Sequence, residues 1–102
     1  APRLPARAAS MPPAITFFDD LAGHATVVEV VAQDRPALLH DLASAISAEG
    51  CDIRLVLVDT RAHKAIDVFY VTHAGAALDA SRQGALRAAL ERACAHPPPR
   101  PR

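Results

Sequence analysis

Residues 26–32 (TVVEVVA) are rich in β-branched side chains and carry Glu29 as their one charge. That pattern predicts a central strand with Val28 and Val30 facing the core and Glu29 on the other side. Residues 14–18 (AITFF) form a shorter β-rich run that ends at Asp19 and Asp20, and Gly23 marks the turn between the two. From residue 33 the spacing becomes helical: in QDRPALLHDLASAISAEG, Leu39, Leu42, Ala43 and Ile46 form one buried stripe. Asp34 is the N-cap candidate, Pro36 suits the first turn, and Gly50 is placed for the stop. CDIRLVLVDT then alternates, with Ile53, Leu55 and Leu57 on one face and Asp52, Arg54, Val56 and Val58 on the other. The polar RAHK separates it from AIDVFYVT, so residues 51–72 read as an antiparallel hairpin. A second helix follows, with Asp79 or Ser81 as N-cap and Leu86, Ala89, Leu90 and Ala93 as its stripe.

The order ββαββα predicts an α+β sandwich of the ferredoxin-like kind: an antiparallel four-stranded sheet with two helices on one face. The usual order is βαββαβ, with the last strand on an edge beside the first. Here HPPPRPR, with four prolines, cannot form that strand, so the leading strand is expected to take its place by pairing with residues 26–32. The face without helices would carry Val27 and Val31, Val56 and Val58, and either Val68 with Tyr70 or Phe69 with Val71. Apolar positions recurring on three strands of an open face imply association.

Length adds that 102 residues make one domain. Eight of the nine prolines lie at positions 2–13 and 97–101, which sets the expected domain at 14–95, with 1–13 and 96–102 as linker or disordered tail. The longest stretches without Asp, Glu, Lys or Arg, residues 8–18 and 68–78, hold 11 residues, short of the roughly 20 that span a bilayer. No apolar signal core opens the chain, so a soluble, cytoplasmic protein with no membrane partner is expected. An initial Ala rather than Met points to a processed product or part of a longer reading frame. Residues 12–95 hold seven basic against eleven acidic side chains, a balance that argues against nucleic acid.

The chemistry of the chain is sparse. Five histidines show no H-x-x-x-H pair, Cys51 and Cys94 sit far apart without ligand spacing, and no phosphate-loop or nucleophile-elbow motif occurs. No catalytic residue, metal or cofactor is expected; both cysteines read as reduced packing residues. One constellation has a physical rationale, the strand-to-helix corner VAQDRPALLHD. A helix start offers backbone N–H groups and the positive end of its dipole to a carboxylate. Asp34 would cap the helix or bind an ammonium group, and Arg35 would be a surface charge or bind a carboxylate.

DRPALLHDLASAISAEGCDI, followed by DTRAHKAIDVFYVTHAGAAL, resembles the ACT domain, the small effector-binding module of amino-acid metabolism. The pairing of the DRP-x-LL motif with DVFYVT is most similar to the last ACT domain of bifunctional uridylyltransferase/uridylyl-removing enzymes, and TFFDDLAGHATVVEV looks like their lead-in. The likeness covers about residues 12–95. It implies an amino-acid effector, glutamine, at the turn formed by Asp34, Arg35, Pro36, Ala37, Leu38 and Leu39 and at the segment Cys51, Asp52 and Ile53, with a sibling ACT domain or a second copy as partner. It also implies a regulatory role in nitrogen-assimilation signalling through the PII protein, with the catalytic domains elsewhere. Two positions depart from the pattern: Ala37 stands for the usual Gly, where its methyl group would obstruct a ligand, and His73 for the usual Asp. The competing class is a free-standing module that dimerises without a small molecule. An enzyme or metal carrier on this scaffold is disfavoured by the absence of Asn and of paired cysteines.

Overall fold

Alternation of buried and half-buried side chains along two strands builds the centre of one sheet. The computed structural model describes residues 12–95. Its elements are β1 (Ala14–Asp19), β2 (Thr26–Gln33), α1 (Leu38–Ala48), β3 (Asp52–Arg61), β4 (Lys64–Thr72) and α2 (Ala80–Ala95). The expected linker and tail fall outside the described residues, apart from Pro12 and Pro13. All neighbours are antiparallel in the order β1-β2-β4-β3, so β1 fills the edge position beside β2 as the element order requires. Among the described residues no helix is long and apolar enough to cross a membrane.

Val28, Val30 and Ala32 of β2 and Ala65, Phe69 and Val71 of β4 are buried against the helices, with Ile15 of β1 beside them. The helices supply Leu38, Leu42 and Ile46 from α1 and Leu86, Leu90 and Ala93 from α2. Phe69 heads the fully buried side chains. Arg87 ties α2 to the edge strand: its Nη1 donates to the Ile15 carbonyl at 2.6 Å, and the guanidinium lies 5.1 Å from the Phe17 ring centre. The second helix is capped by Asp79, whose Oδ1 accepts from the Arg82 N–H at 2.8 Å. At the end of α1, Gly50 (φ 78) donates to Ser47 O and Cys51 to Ile46 O. This is the Schellman arrangement that stops a helix with a left-handed glycine.

The face assignment of β3 needs correction. Ile53 pairs with Val71 but Leu55 pairs with Tyr70, so a bulge falls at Arg54. One extra residue reverses the parity of everything after it. Ile53 and Val56 therefore pack against the core, while Leu55 and Leu57 stand on the open face, about half exposed at 48% and 51%. That face carries Phe18 of β1, Val27 and Val31 of β2, Ile66, Val68 and Tyr70 of β4, and Leu55 and Leu57 of β3. Val58 shares the parity of Val56 but is exposed at the edge.

The reversed parity makes a direct prediction. Val56→Ala should destabilise the chain by about 1–2 kcal/mol through lost core packing, and Leu57→Ala by less than about 0.5 kcal/mol, both read from urea unfolding midpoints.

Candidate functional site

The strand-to-helix corner forms because β2 runs out against the β3–β4 turn. The Asp34 N–H donates to the His63 carbonyl at 2.7 Å, which holds Asp34 as a continuation of the sheet edge. Residues 36–37 then turn, with Leu38 N–H donating to Arg35 O at 3.3 Å. Ala37 occupies the N-cap position with φ 65, and no side chain caps the helix. Asp34 is therefore not the cap and Pro36 is not in the first helical turn: the left-handed residue at Ala37 postpones the helix to Leu38. The buried stripe keeps Leu42 and Ile46 as expected but takes Leu38 in place of Leu39. Leu38, Asp41, Leu42 and Ile46 are buried, Ala43 is half-buried, and Leu39 is 42% exposed. A left-handed backbone costs a residue with a Cβ roughly 1–2 kcal/mol, which accounts physically for a glycine preference at this position.

Arg35 is neither a plain surface charge nor an idle cation. Its Nη1 donates to Asp41 Oδ2 at 2.9 Å and to the Pro36 carbonyl at 3.1 Å, and its Nη2 donates to the Ala93 carbonyl at 2.9 Å. Asp41 is buried, with a side chain 1% exposed. One guanidinium thus joins the corner, the first turn of α1 and the last turn of α2, where the carbonyl ends of a helix favour a cation. The carboxylate it binds in this structure is the protein's own.

Beside the corner lies a cleft of about 570 Å³ lined by Gln33, Asp34, Arg35, Leu38 and Cys94, among others. Burial raises the Cys94 pKa above its ordinary value; Arg35 opposes that, while Asp67 and Glu91 add to it. Cys51 is raised as well, chiefly by burial, so both thiols stay protonated at neutral pH. Asp67, on β4 between Ala65 and Phe69, is 5% exposed. Burial pushes its carboxyl up, and the negative charge of Asp34 pushes in the same direction. The sequence signals for Asp41 and Asp67 were present but unread: Asp41 lies three residues after Leu38 in a helical stripe, and Asp67 shares the parity of Phe69.

Cys51, Asp52 and Ile53 lie elsewhere. Gln33 and Arg61 both sit opposite Lys64, whereas Thr26 and Ile53 both sit opposite Val71, so the two groups occupy opposite ends of the sheet, roughly 23 Å apart along the strands. Residues 34–39 are gathered; residues 51–53 are not brought to them within one chain. Cys51 is buried beneath the end of α1, Asp52 is exposed, and Ile53 packs on the core. Close by, His73 Nδ1 lies 2.9 Å from the Gly50 carbonyl, which can only accept, so the ring nitrogen donates. An ionised aspartate could not make that bond. Among the described residues no three His, Cys, Asp or Glu side chains are grouped so as to hold a metal ion.

The ββαββα order on one antiparallel sheet, with the uncapped strand-to-helix corner, is the ferredoxin-like α+β sandwich of ACT domains. No protein-family model matches the chain. It is similar to segments of curated bifunctional uridylyltransferase/uridylyl-removing enzymes. The Caulobacter vibrioides enzyme is 37% identical over 87 residues, which cover 83% of this chain and 9% of that enzyme. The Bradyrhizobium diazoefficiens enzyme is 40% identical over 90 residues, 86% of this chain and 10% of the enzyme, and that of Zymomonas mobilis 46% over 59 residues, 57% and 6%. The chain therefore spans a tenth or less of the length of these relatives, and its likeness is to one segment of each.

Two outcomes test this account of the corner. Arg35→Ala should cost roughly 3 kcal/mol in unfolding free energy because the ion pair with buried Asp41 and the bond to the Ala93 carbonyl are both lost. Arg35→Lys should recover less than half, since an ammonium lacks the planar fork that reaches Asp41 and Ala93 together. For Asp67, the raised folded pKa means the native state holds the proton more tightly than the unfolded chain. Its contribution to stability is accordingly lost as pH rises from the ordinary value of 3.8 through the raised one. Asp67→Asn should raise the Tm at pH 7 by a few degrees, with the gain shrinking as pH falls below the ordinary carboxylate range, read by melting across pH.

Proposed function

We propose that this chain is a regulatory, amino-acid-sensing ACT domain of a uridylyltransferase/uridylyl-removing enzyme, with glutamine as its effector and the modification state of PII as its output. The observation that carries this reading is the likeness, over 87 residues in one case, to a short segment of enzymes with that name. The uncapped start of α1 adds physical support, because its first N–H groups and dipole favour a carboxylate. Asp34, Arg35, Pro36, Ala37, Leu38 and Leu39 would bind on one side. Cys51, Asp52 and Ile53 at the far end of the sheet would belong to a site completed by a sibling domain or a second copy. Catalysis would belong to other domains of the enzyme, and a cytoplasmic location accords with this role.

A second reading is favoured by the open sheet face, which carries apolar side chains on all four strands. On that reading the chain is an interaction module that dimerises and binds no small molecule, with the Ala37 methyl group standing where a ligand would approach.

Thermal melting decides between them. Glutamine in millimolar excess should raise the Tm while glutamate and other amino acids leave it in place, because a ligand specific to the folded form adds about 2.7 kcal/mol at a hundred times its Kd. No shift with any amino acid, in a chain shown to be folded, would overturn the sensor reading. The module reading would then predict a dimer in sedimentation equilibrium that Leu57→Lys converts to monomer.

A further inference from the structure

The apolar face of the sheet, on the side away from the helices, has a single charge in its middle. Glu29 stands on β2, an interior strand, and is half-buried. Val27 and Val31 flank it on the same face along β2, Val68 lies opposite on β4, and Thr16 opposite on β1 is its one polar neighbour. Beyond Val27 the face ends in its most apolar row, Phe18, Val27, Tyr70 and Leu55 across the four strands. Toward the other end it turns polar. Lys64 sits there opposite Gln33, four residues along β2 from Glu29 and roughly 13 Å away, and Arg61 is engaged with Asp59 at 2.9 Å.

Glu29 has no hydrogen bond or ion pair among the described residues. While the face is wet, water solvates the carboxylate. A surface laid over the face removes that water, and a carboxylate covered without a cation costs more than the adjoining valines return. A second copy of this chain makes the difficulty worse. A two-fold pairing centred on the face brings the two Glu29 side chains to within about one strand spacing of each other, roughly 5 Å sideways across the interface. Sliding the copies along the strands until Lys64 of one covers Glu29 of the other leaves the row of Phe18, Val27, Tyr70 and Leu55 hanging past the end of the partner sheet. Either pairing forfeits what the face offers.

We propose that this face docks a protein surface that is apolar and carries one Lys or Arg at its centre, and that Glu29 bars a second copy of this chain from the same place. The partner's cation pairs with the Glu29 carboxylate, while the surrounding aliphatic and aromatic side chains supply the buried area. Glu29 acts as the selector: the apolar residues favour any cover, and the charge admits one kind. This inference does not rest on the corner binding an effector, and it differs from the self-dimerising module in the partner it admits.

Sedimentation equilibrium of the 102-residue chain at pH 7 tests it, with a Glu29→Lys copy serving as the cationic partner. Wild type alone and Glu29→Lys alone should stay monomeric at concentrations where their equimolar mixture forms a heterodimer, about tenfold or more tighter than either homodimer. Adding Leu57→Ser to both chains should weaken that heterodimer severalfold, because Leu57 shares the face. Glu29→Gln alone should self-associate about tenfold more tightly than wild type, a comparison that decides the matter even where Glu29→Lys does not fold. A mixture no tighter than its components, a heterodimer indifferent to Leu57→Ser, or a wild type that self-associates as tightly as Glu29→Gln would each overturn the proposal. The last of these is what the dimerising module predicts, and the glutamine melting experiment judges the sensor reading independently of all three.

Discussion

The Arg35 guanidinium is the contact on which the arrangement of the two helices turns. It reaches Asp41 in α1 and the Ala93 carbonyl in α2 from the turn that leaves β2. A buried carboxylate without a cation is costly, and the carbonyl end of a helix without a donor wastes its dipole. One side chain answers both, so a single group ties together the corner, the first helix and the end of the second, on top of the apolar packing the helices share. The consequence for function is that the cation nearest the start of α1 is already engaged, and an incoming carboxylate would rely on the backbone N–H groups of the helix and on donors that Arg35 has left over.

The sheet places its chemistry at two ends. At one, β2 gives way to the turn and α1, with Asp34, Arg35, Asp67 and Cys94 close enough to influence one another's charge. At the other, backbone carbonyls tie the end of α1 to the turn after β4 and to the start of α2: Gly50 O accepts from His73 and Glu49 O from Arg82. The separation follows from antiparallel register rather than from any loop. A ligand that touched both sets of residues would have to lie between two chains or two domains, which joins the proposed sensing role to the question of oligomeric state.

The uncovered face gives that question a surface. Helices cover one side of the sheet, and the other retains Phe18, Val27, Val31, Leu55, Leu57, Ile66, Val68 and Tyr70, with Glu29 among them. Single exposed apolar residues are ordinary; a continuous set across four strands is the kind of surface that becomes buried on association. The bulge at Arg54 changes its composition, putting Leu55 and Leu57 on this face where unbroken alternation would have put Val56 and Val58.

What the chain's pattern determined by itself was the list of elements, their order and most of the core. Val28, Val30, Leu42, Ile46, Leu86 and Leu90 are fully or almost fully buried, because period-2 and period-3.6 spacing can be read locally and a sheet covered on one side tolerates few alternatives. The edge position of β1 was also legible, since the proline-rich end excluded a strand there. Three things were decided only by tertiary structure. Ala37 adopts a left-handed conformation that its residue type disfavours, which delayed the helix and displaced Asp34 from its expected role as cap, while the packing of α1 buried Leu38 rather than Leu39. The bulge in β3 reversed the inward face, and a single extra residue leaves no mark in an apolar alternating run. The partners of Arg35 come from residues 6 and 58 positions away. Hydrogen bonds of that reach depend on how helices cross, a property of the folded chain and not of any stretch of its sequence.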